Sequence, residues 1–181
     1  LKSRVSETLG LLYADHFPYR QVETARNVRQ SPIHDRLKGE GACFGEVSGW
    51  ERANWFLPKA ERDAGKPAEY QYSWKRQNWF DYSADEHNAV RNHVGMFDLS
   101  SFGKIRVVGK DAEAVLQRLC GNDVAVPNGK IVYTQFLNKD GHIEADVTVT
   151  RLSSDEFLVV TPAATVRRDL HWINGHIPDG A

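Results

Sequence analysis

The sequence predicts an α+β fold in which an antiparallel sheet meander carries helices packed on one face. Three observations predict it. Period-two patterning runs from Gly129 to Thr161 and is broken by two turn signals. Helical periodicity flanks that stretch on both sides. In chain order the elements are helix, strand, helix, three strands, helix.

Each strand of the meander is legible in turn. Ile131, Tyr133, Gln135 and Leu137 fall on one side of an extended chain. Asn138-Lys139-Asp140-Gly141 is a turn, because Asp-Gly favours the positive-φ backbone of a tight hairpin. Ile143, Ala145, Val147 and Val149 then share one side, and Glu144, Asp146, Thr148 and Thr150 the other. Ser153-Ser154-Asp155 turns the chain into a third run, Phe157 to Thr161.

Before the meander the signals are mixed. Residues 1 to about 30 are polar and poorly periodic, with Leu9, Leu11, Leu12, Phe17 and Tyr19 scattered among them. Ser31-Pro32 opens a helix with a capping residue and a first-turn proline; Ile33 and Leu37 form its apolar side. Ala42 to Trp50 is a short strand with glycines. From Trp50 to Tyr82 come four of the five tryptophans, with Phe56, Tyr70, Tyr72, Phe80 and Tyr82, around the charged segment Pro58 to Pro67. This predicts a surface loop docked by aromatic anchors. Lys75 and Arg76 among those rings would also suit a stacking platform for single-stranded nucleic acid, but neighbouring acidic residues and the lack of a basic face argue against it. Ser83-Ala84-Asp85-Glu86 is a capping box, so a helix starts at Ser83 with Ala89, Val90 and Val94 inward. A strand follows from Phe102 to Val108. Asp111 caps a helix through Leu119 with Val115, Leu116 and Leu119 inward, and Ala163 to His176 is a last helix with Val166, Leu170 and Ile173 on its apolar face.

Composition bounds the function. With 181 residues there is room for one domain, or a domain plus a smaller unit, burying roughly 70% of the unfolded surface. A net charge of −1 creates no field that draws nucleic acid or membrane. No apolar run approaches the ~20 residues of a membrane span, and the first residues lack a signal-peptide core, so a cytoplasmic location is expected. Leu rather than Met at the first position points to a piece of a longer chain. Cys43 and Cys120 stand alone and predict free thiols. The seven histidines lack metal-ligand spacing, and no Cys-x-x-Cys, Gly-rich phosphate loop or nucleophile elbow is present, so no metal is expected.

One residue raises a chemical question. Asp146 sits mid-strand, where Asp is depleted. It is either part of a solvated strand face with Glu144 and two threonines, or a carboxylate aimed at a ligand from a rigid strand.

The run Asn138 to Leu152, NKDGHIEADVTVTRL, resembles the first folate-site strand pair of the glycine-cleavage T-protein family. It is most similar to the version fused to flavin-dependent dimethylglycine and sarcosine dehydrogenases. Gly95-Met96-Phe97-Asp98-Leu99-Ser100-Ser101-Phe102 fits a second motif of that family. Residues Thr24 to Phe56 resemble the segment that connects the flavin domain to the folate domain. His142 stands where a second Gly is usual, and Val147 where Leu is usual. The resemblance implies an incomplete T-protein-like folate-binding aminomethyltransferase domain. Residues 1–60 would be the connecting segment after a flavin domain, 61–82 an aromatic-rich loop, and 83–181 the first part of the folate domain. It implies that Asp146 contacts the pterin and acts in catalysis, and that Phe102, Tyr133 and Val160 complete the folate-binding set in this chain. Pro162 stands where a ligand-contacting Asn is frequent, which removes one side-chain hydrogen bond. The implied cofactors are tetrahydrofolate and, in the upstream domain, FAD. The implied activity is one-carbon metabolism: passing the carbon of an iminium, made from an N-methyl amine by that flavin domain, to tetrahydrofolate as 5,10-methylene-tetrahydrofolate. The alternative is a T-protein-like docking module without chemistry. On either reading the fragment alone is expected to be inactive. A sheet cut short exposes edges and apolar surface, so self-association is expected.

Overall fold

The computed structural model describes residues 2–181, which divide into two compact units at Ser100/Ser101. Among the described residues no helix is long and apolar enough to cross a membrane.

The second unit contains β3 (Gly103–Val108), α5 (Ala112–Leu119), β4 (Ile131–Leu137), β5 (Ile143–Arg151), β6 (Glu156–Thr161) and α6 (Val166–Asn174). Its four strands form one antiparallel sheet in the order β3-β6-β5-β4. The meander is therefore as the alternation predicts, with β3 added beside its last strand. Asn138 rather than the Asp-Gly pair does most of the turning. Its Oδ1 accepts from the backbone N–H of Asp140 and of His142, both at 3.0 Å, while Gly141 supplies a φ of 78°.

One face of this sheet is the core. Val132, Phe136, Ala145, Val147, Val149, Phe157 and Val159 pack against Val115, Leu116 and Leu119 of α5 and Ile173 of α6. The α5 stripe is the one the spacing predicts, although the Asp111 side chain makes no cap bond. Each large apolar side chain buried this way contributes about 1.5–3 kcal/mol. Gly103 lets α6 approach β3: a Cβ there would lie 2.4 Å from Cγ2 of Val166. On α6 the expected apolar face shifts. Leu170 is 41% exposed, and Asp169 is buried at 1% because two threonines and an arginine satisfy it.

The first unit is built differently. It holds α1 (Lys2–Leu11), α2 (His34–Gly39), the hairpin β1 (Ala42–Val47) and β2 (Trp50–Phe56), α3 (Lys59–Asp63) and α4 (Phe80–Asn92). Ser48 and Gly49 both have positive φ, 54° and 84°, as a two-residue hairpin turn requires. The predicted strand thus stops at Val47, and a second one follows. Strand β2 escapes the pattern rule because its inward positions include Glu51, buried at 4% and paired with Arg26 (Nη2 to Oε2, 2.6 Å; Nε to Oε1, 2.8 Å). Burial pushes Glu51 up, but the Arg26 hydrogen bonds and the Asn27 N–H hold its pKa below the ordinary value.

The aromatic anchors form only in part: Tyr70, Trp79 and Tyr82 pack around Trp55, while Trp74 (73%) and Phe80 (45%) stay exposed. Trp55 is 1% exposed; it stacks on Tyr82 with ring centroids 5.4 Å apart and meets Tyr70 edge-on at 6.1 Å. Other expectations fail. Helix α1 forms where no element is predicted. Glu7 fastens it by accepting from the hydroxyl of Thr24 and from the N–H groups of Glu23 and Thr24, which hold its carboxyl at about 2. A short helix, α3, interrupts the charged loop. Helix α2 begins at His34 rather than at the proline. Helix α4 begins at Phe80, so Ser83 lies inside it and donates its N–H to the Trp79 carbonyl. Glu86 closes no capping box. It accepts from the Phe56 N–H at 2.6 Å, and burial raises its pKa. No residue of α4 is buried, and Val90 (43%) and Val94 (91%) are exposed. Both cysteines are free, and burial raises each thiol to about 12.

Candidate functional site

The sheet face opposite the core carries Ile131, Tyr133, Gln135 and Leu137 from β4, Asp146, Thr148 and Thr150 from β5, Leu158 and Val160 from β6, and Lys104 and Arg106 from β3. Register aligns them. Tyr133 faces Thr148, Thr148 faces Val160, and Val160 faces Lys104; Gln135 faces Asp146 one step along. Two of the four predicted site residues, Tyr133 and Val160, therefore share a row across three strands. Asp146 lies diagonally beside Tyr133. Phe102 immediately precedes β3 and is half-buried. All four lie in the second unit, and strand parity puts Tyr133, Asp146 and Val160 on this one face, while Phe102 lies just outside the strand.

Asp146 is exposed, so the carboxylate is offered to whatever meets the sheet. It is also held. The Tyr133 hydroxyl hydrogen-bonds to it, and Gln135 Nε2 donates to its Oδ1 at 2.9 Å. Tyr133 first and Gln135 second lower its pKa from the ordinary value, and the same contact raises the Tyr133 phenol. A carboxylate fixed by two neutral donors keeps lone pairs free for a ligand's N–H groups.

Strand β5 is half-open here. Its pairing with β6 runs from Thr148 to Arg151, so residues 143–147 have a strand partner only in β4. The neutral partner Gln135 escapes sequence reasoning because pairing across the hairpin shifts at a bulge between Phe136 and Leu137. Counting outward from the turn without that bulge misaligns the two strands. Among the described residues no group of three His, Cys, Asp or Glu is placed to hold a metal. An apolar groove of about 560 Å³ lies in the first unit, lined by Leu37, Phe56, Val90, Val94, Met96 and Phe97 among others; none of the four predicted residues borders it.

The GCVT N-terminal domain family matches residues 33–181. A 4-methylaminobutanoate oxidase (formaldehyde-forming) of Paenarthrobacter nicotinovorans is 51% identical over 173 residues, 96% of this chain and 20% of that protein. The mitochondrial pyruvate dehydrogenase phosphatase regulatory subunit of Mus musculus is 33% identical over 180 residues, 98% of this chain and 20% of its own length. Human mitochondrial sarcosine dehydrogenase is 33% identical over 172 residues, 84% of this chain and 19% of its own length. The chain thus spans about one fifth of these relatives. The crystal structure of glycine cleavage system aminomethyltransferase T from Bartonella henselae superposes with a TM-score of 0.64 at 22% identity, covering 83% of this chain and 36% of that one. The fold is that of part of an aminomethyltransferase T, and the resemblance drawn from the strand pair and the Gly95–Phe102 motif is borne out.

Proposed function

Because this chain belongs to the GCVT N-terminal domain family, we propose that its second unit presents part of a tetrahydrofolate site. In this reading it is the one-carbon-accepting portion of a longer flavin-dependent oxidoreductase that acts on methylamino acids. The observation that carries the proposal is the Asp146 carboxylate, exposed mid-strand on the sheet face opposite the core and held by Tyr133 and Gln135. The residues suit a pterin. It presents N–H donors at its edge and a flat apolar ring, and this face offers an acceptor beside Tyr133, Val160 and Phe102. In this reading amine oxidation belongs to another part of the longer protein, since the chain spans about one fifth of its relatives.

Tetrahydrofolate would supply the nitrogen nucleophiles that accept the iminium carbon. Asp146 binds a pterin N–H by a charge-assisted hydrogen bond and sets the ring's orientation. With its pKa lowered by two donors, Asp146 is a weak proton acceptor, so positioning outweighs general-base chemistry. Tyr133 and Gln135 fix the carboxylate rotamer. Pro162 offers no side-chain donor, so specificity on that side rests on shape. In the full-length protein, Asp146→Asn is expected to abolish transfer to tetrahydrofolate while the amine still reduces the flavin. Unchanged yield of methylene-tetrahydrofolate would sink the proposal.

A second reading, a docking module without chemistry, draws on the regulatory-subunit relative, which matches nearly the whole chain. Calorimetric titration with folinic acid separates the two: binding that disappears in Asp146→Asn supports the folate site, and its absence from the full-length protein supports docking.

A further inference from the structure

We infer that Asp169 and Arg168, in the first turn of α6, form a clamp that positions the Asp146 segment of β5; the inference rests on the folate-site reading above. The need for a clamp follows from the sheet. Asp146 lies in the stretch of β5 that has left its ladder with β6. On that stretch Arg168 Nη2 donates to the Glu144 carbonyl, two residues from Asp146. Arg168 is itself aimed, because its Nε donates to Asp169 Oδ1 at 3.1 Å.

Asp169 is 1% exposed, and its second oxygen takes two hydroxyls: Thr161, the last residue of β6, and Thr165 at 2.6 Å, which precedes α6. One carboxylate thus ties the end of β6, the turn 162–165 and the first turn of α6. Its other oxygen directs a guanidinium to β5. Val166, packed over Gly103, holds the same turn against β3. The turn so fixed begins at Pro162, two residues after Val160 of the candidate face.

A purely structural role for this network predicts changes in stability alone. The two residues distinguish the cases. The Arg168 side chain is 60% exposed, and without it the buried Asp169 carboxylate keeps the Thr161 and Thr165 hydroxyls, so its removal costs only part of the network's stability. Its removal nonetheless frees the Glu144 carbonyl and the strand beside it. Misplacement of a binding group by about 1 Å can cost on the order of a hundredfold in rate. Arg168 and Asp169 are positioning residues, since both act through the Glu144 carbonyl of β5.

The test uses the full-length protein carrying this chain. Arg168→Ala, Arg168→Lys, Asp169→Asn and Asp146→Asn are compared for folinic acid affinity, transfer to tetrahydrofolate, flavin reduction by the amine, and thermal unfolding. Arg168→Ala is expected to weaken folinic acid about tenfold and slow transfer by about tenfold to a hundredfold. Flavin reduction should stay at its wild-type value, the unfolding temperature should fall by less than in Asp169→Asn, and Arg168→Lys, which keeps a donor for Glu144, should recover most of the folate defect. Asp169→Asn should show the same folate defect together with a lower unfolding temperature. Wild-type affinity and transfer in Arg168→Ala, with both lost in Asp146→Asn, overturns the clamp and leaves the folate site standing. A defect in Arg168→Ala that appears only with loss of the fold, and that Lys does not recover, also overturns it. Wild-type behaviour of Asp146→Asn removes the folate site and the clamp together.

Discussion

The two units of this chain are stabilised by different means. In the second, a continuous apolar core lies between one sheet face and two helices, and its members recur at the periods of strand and helix. In the first, among the described residues, Cys43, Trp55 and Leu57 form a small buried apolar cluster with rings packed around it. The rest is fastened by charged side chains reaching backbone. Arg26 holds Glu51 and the carbonyls of Val22 and Phe44; Arg4 holds Glu46 and the Thr24 carbonyl; Glu7 caps the N–H groups of Glu23 and Thr24. Apolar periodicity can announce a unit of the first kind of construction. A unit tied by long polar side chains leaves no periodic trace, because such residues pattern like solvent-exposed ones until their partners are known.

The largest effects should separate the two constructions. Phe136→Ala, at a fully buried position, is expected to cost the second unit about 3–5 kcal/mol. Arg26→Ala should cost the first unit about 3 kcal/mol by leaving Glu51 buried without its partner. Chemical unfolding followed by tryptophan fluorescence reads chiefly the first unit, since Trp172 is the one tryptophan of the second. If Arg26→Ala leaves that transition in place, the polar fastening is not what holds the first unit.

A smaller, pH-dependent effect sharpens the contrast. Burial raises the Glu86 carboxyl in the folded state. Its contribution is fully present below the unfolded carboxyl range and is lost as pH rises through the raised value. Glu86→Gln keeps the acceptor for the Phe56 N–H and removes the charge. It should raise the unfolding temperature at pH 7 and change it little at pH 4. Glu7 has the opposite sign: with its carboxyl held at about 2, the anchoring of α1 is present above about 4.5 and is lost as pH falls toward 2. Equal stabilisation by Glu86→Gln at both pH values would remove burial as the cause. The smallest effect concerns Ser83. A helix cap is worth about 1 kcal/mol, but Ser83 lies within α4, so Ser83→Ala should shift stability by less than about 0.5 kcal/mol. A loss near the cap value in thermal unfolding would restore the helix start to Ser83.

Much of the second unit is written locally. Alternation set the strands, Asn138 and Gly141 set the turn, and Val115, Leu116 and Leu119 set the inner side of α5, because each depends on backbone geometry within a few residues. Asp146 could be singled out because a mid-strand carboxylate is costly to place without a reason. Which face of the meander would be the core was a different matter. Tyr133 and Asp146 share the outer face only because α5 and α6 cover the other one. Gln135 meets Asp146 only through a bulged register. Asp169 is buried and Leu170 exposed, against their polarity, because Thr161 at the end of β6, with Thr165 and Arg168, satisfies the carboxylate. Val90 and Val94 have an apolar pattern yet stay exposed, lining an open groove of the first unit. Sequence alone determines what a few neighbouring residues settle among themselves. Tertiary structure decides burial, pairing and charge, because those depend on groups far along the chain.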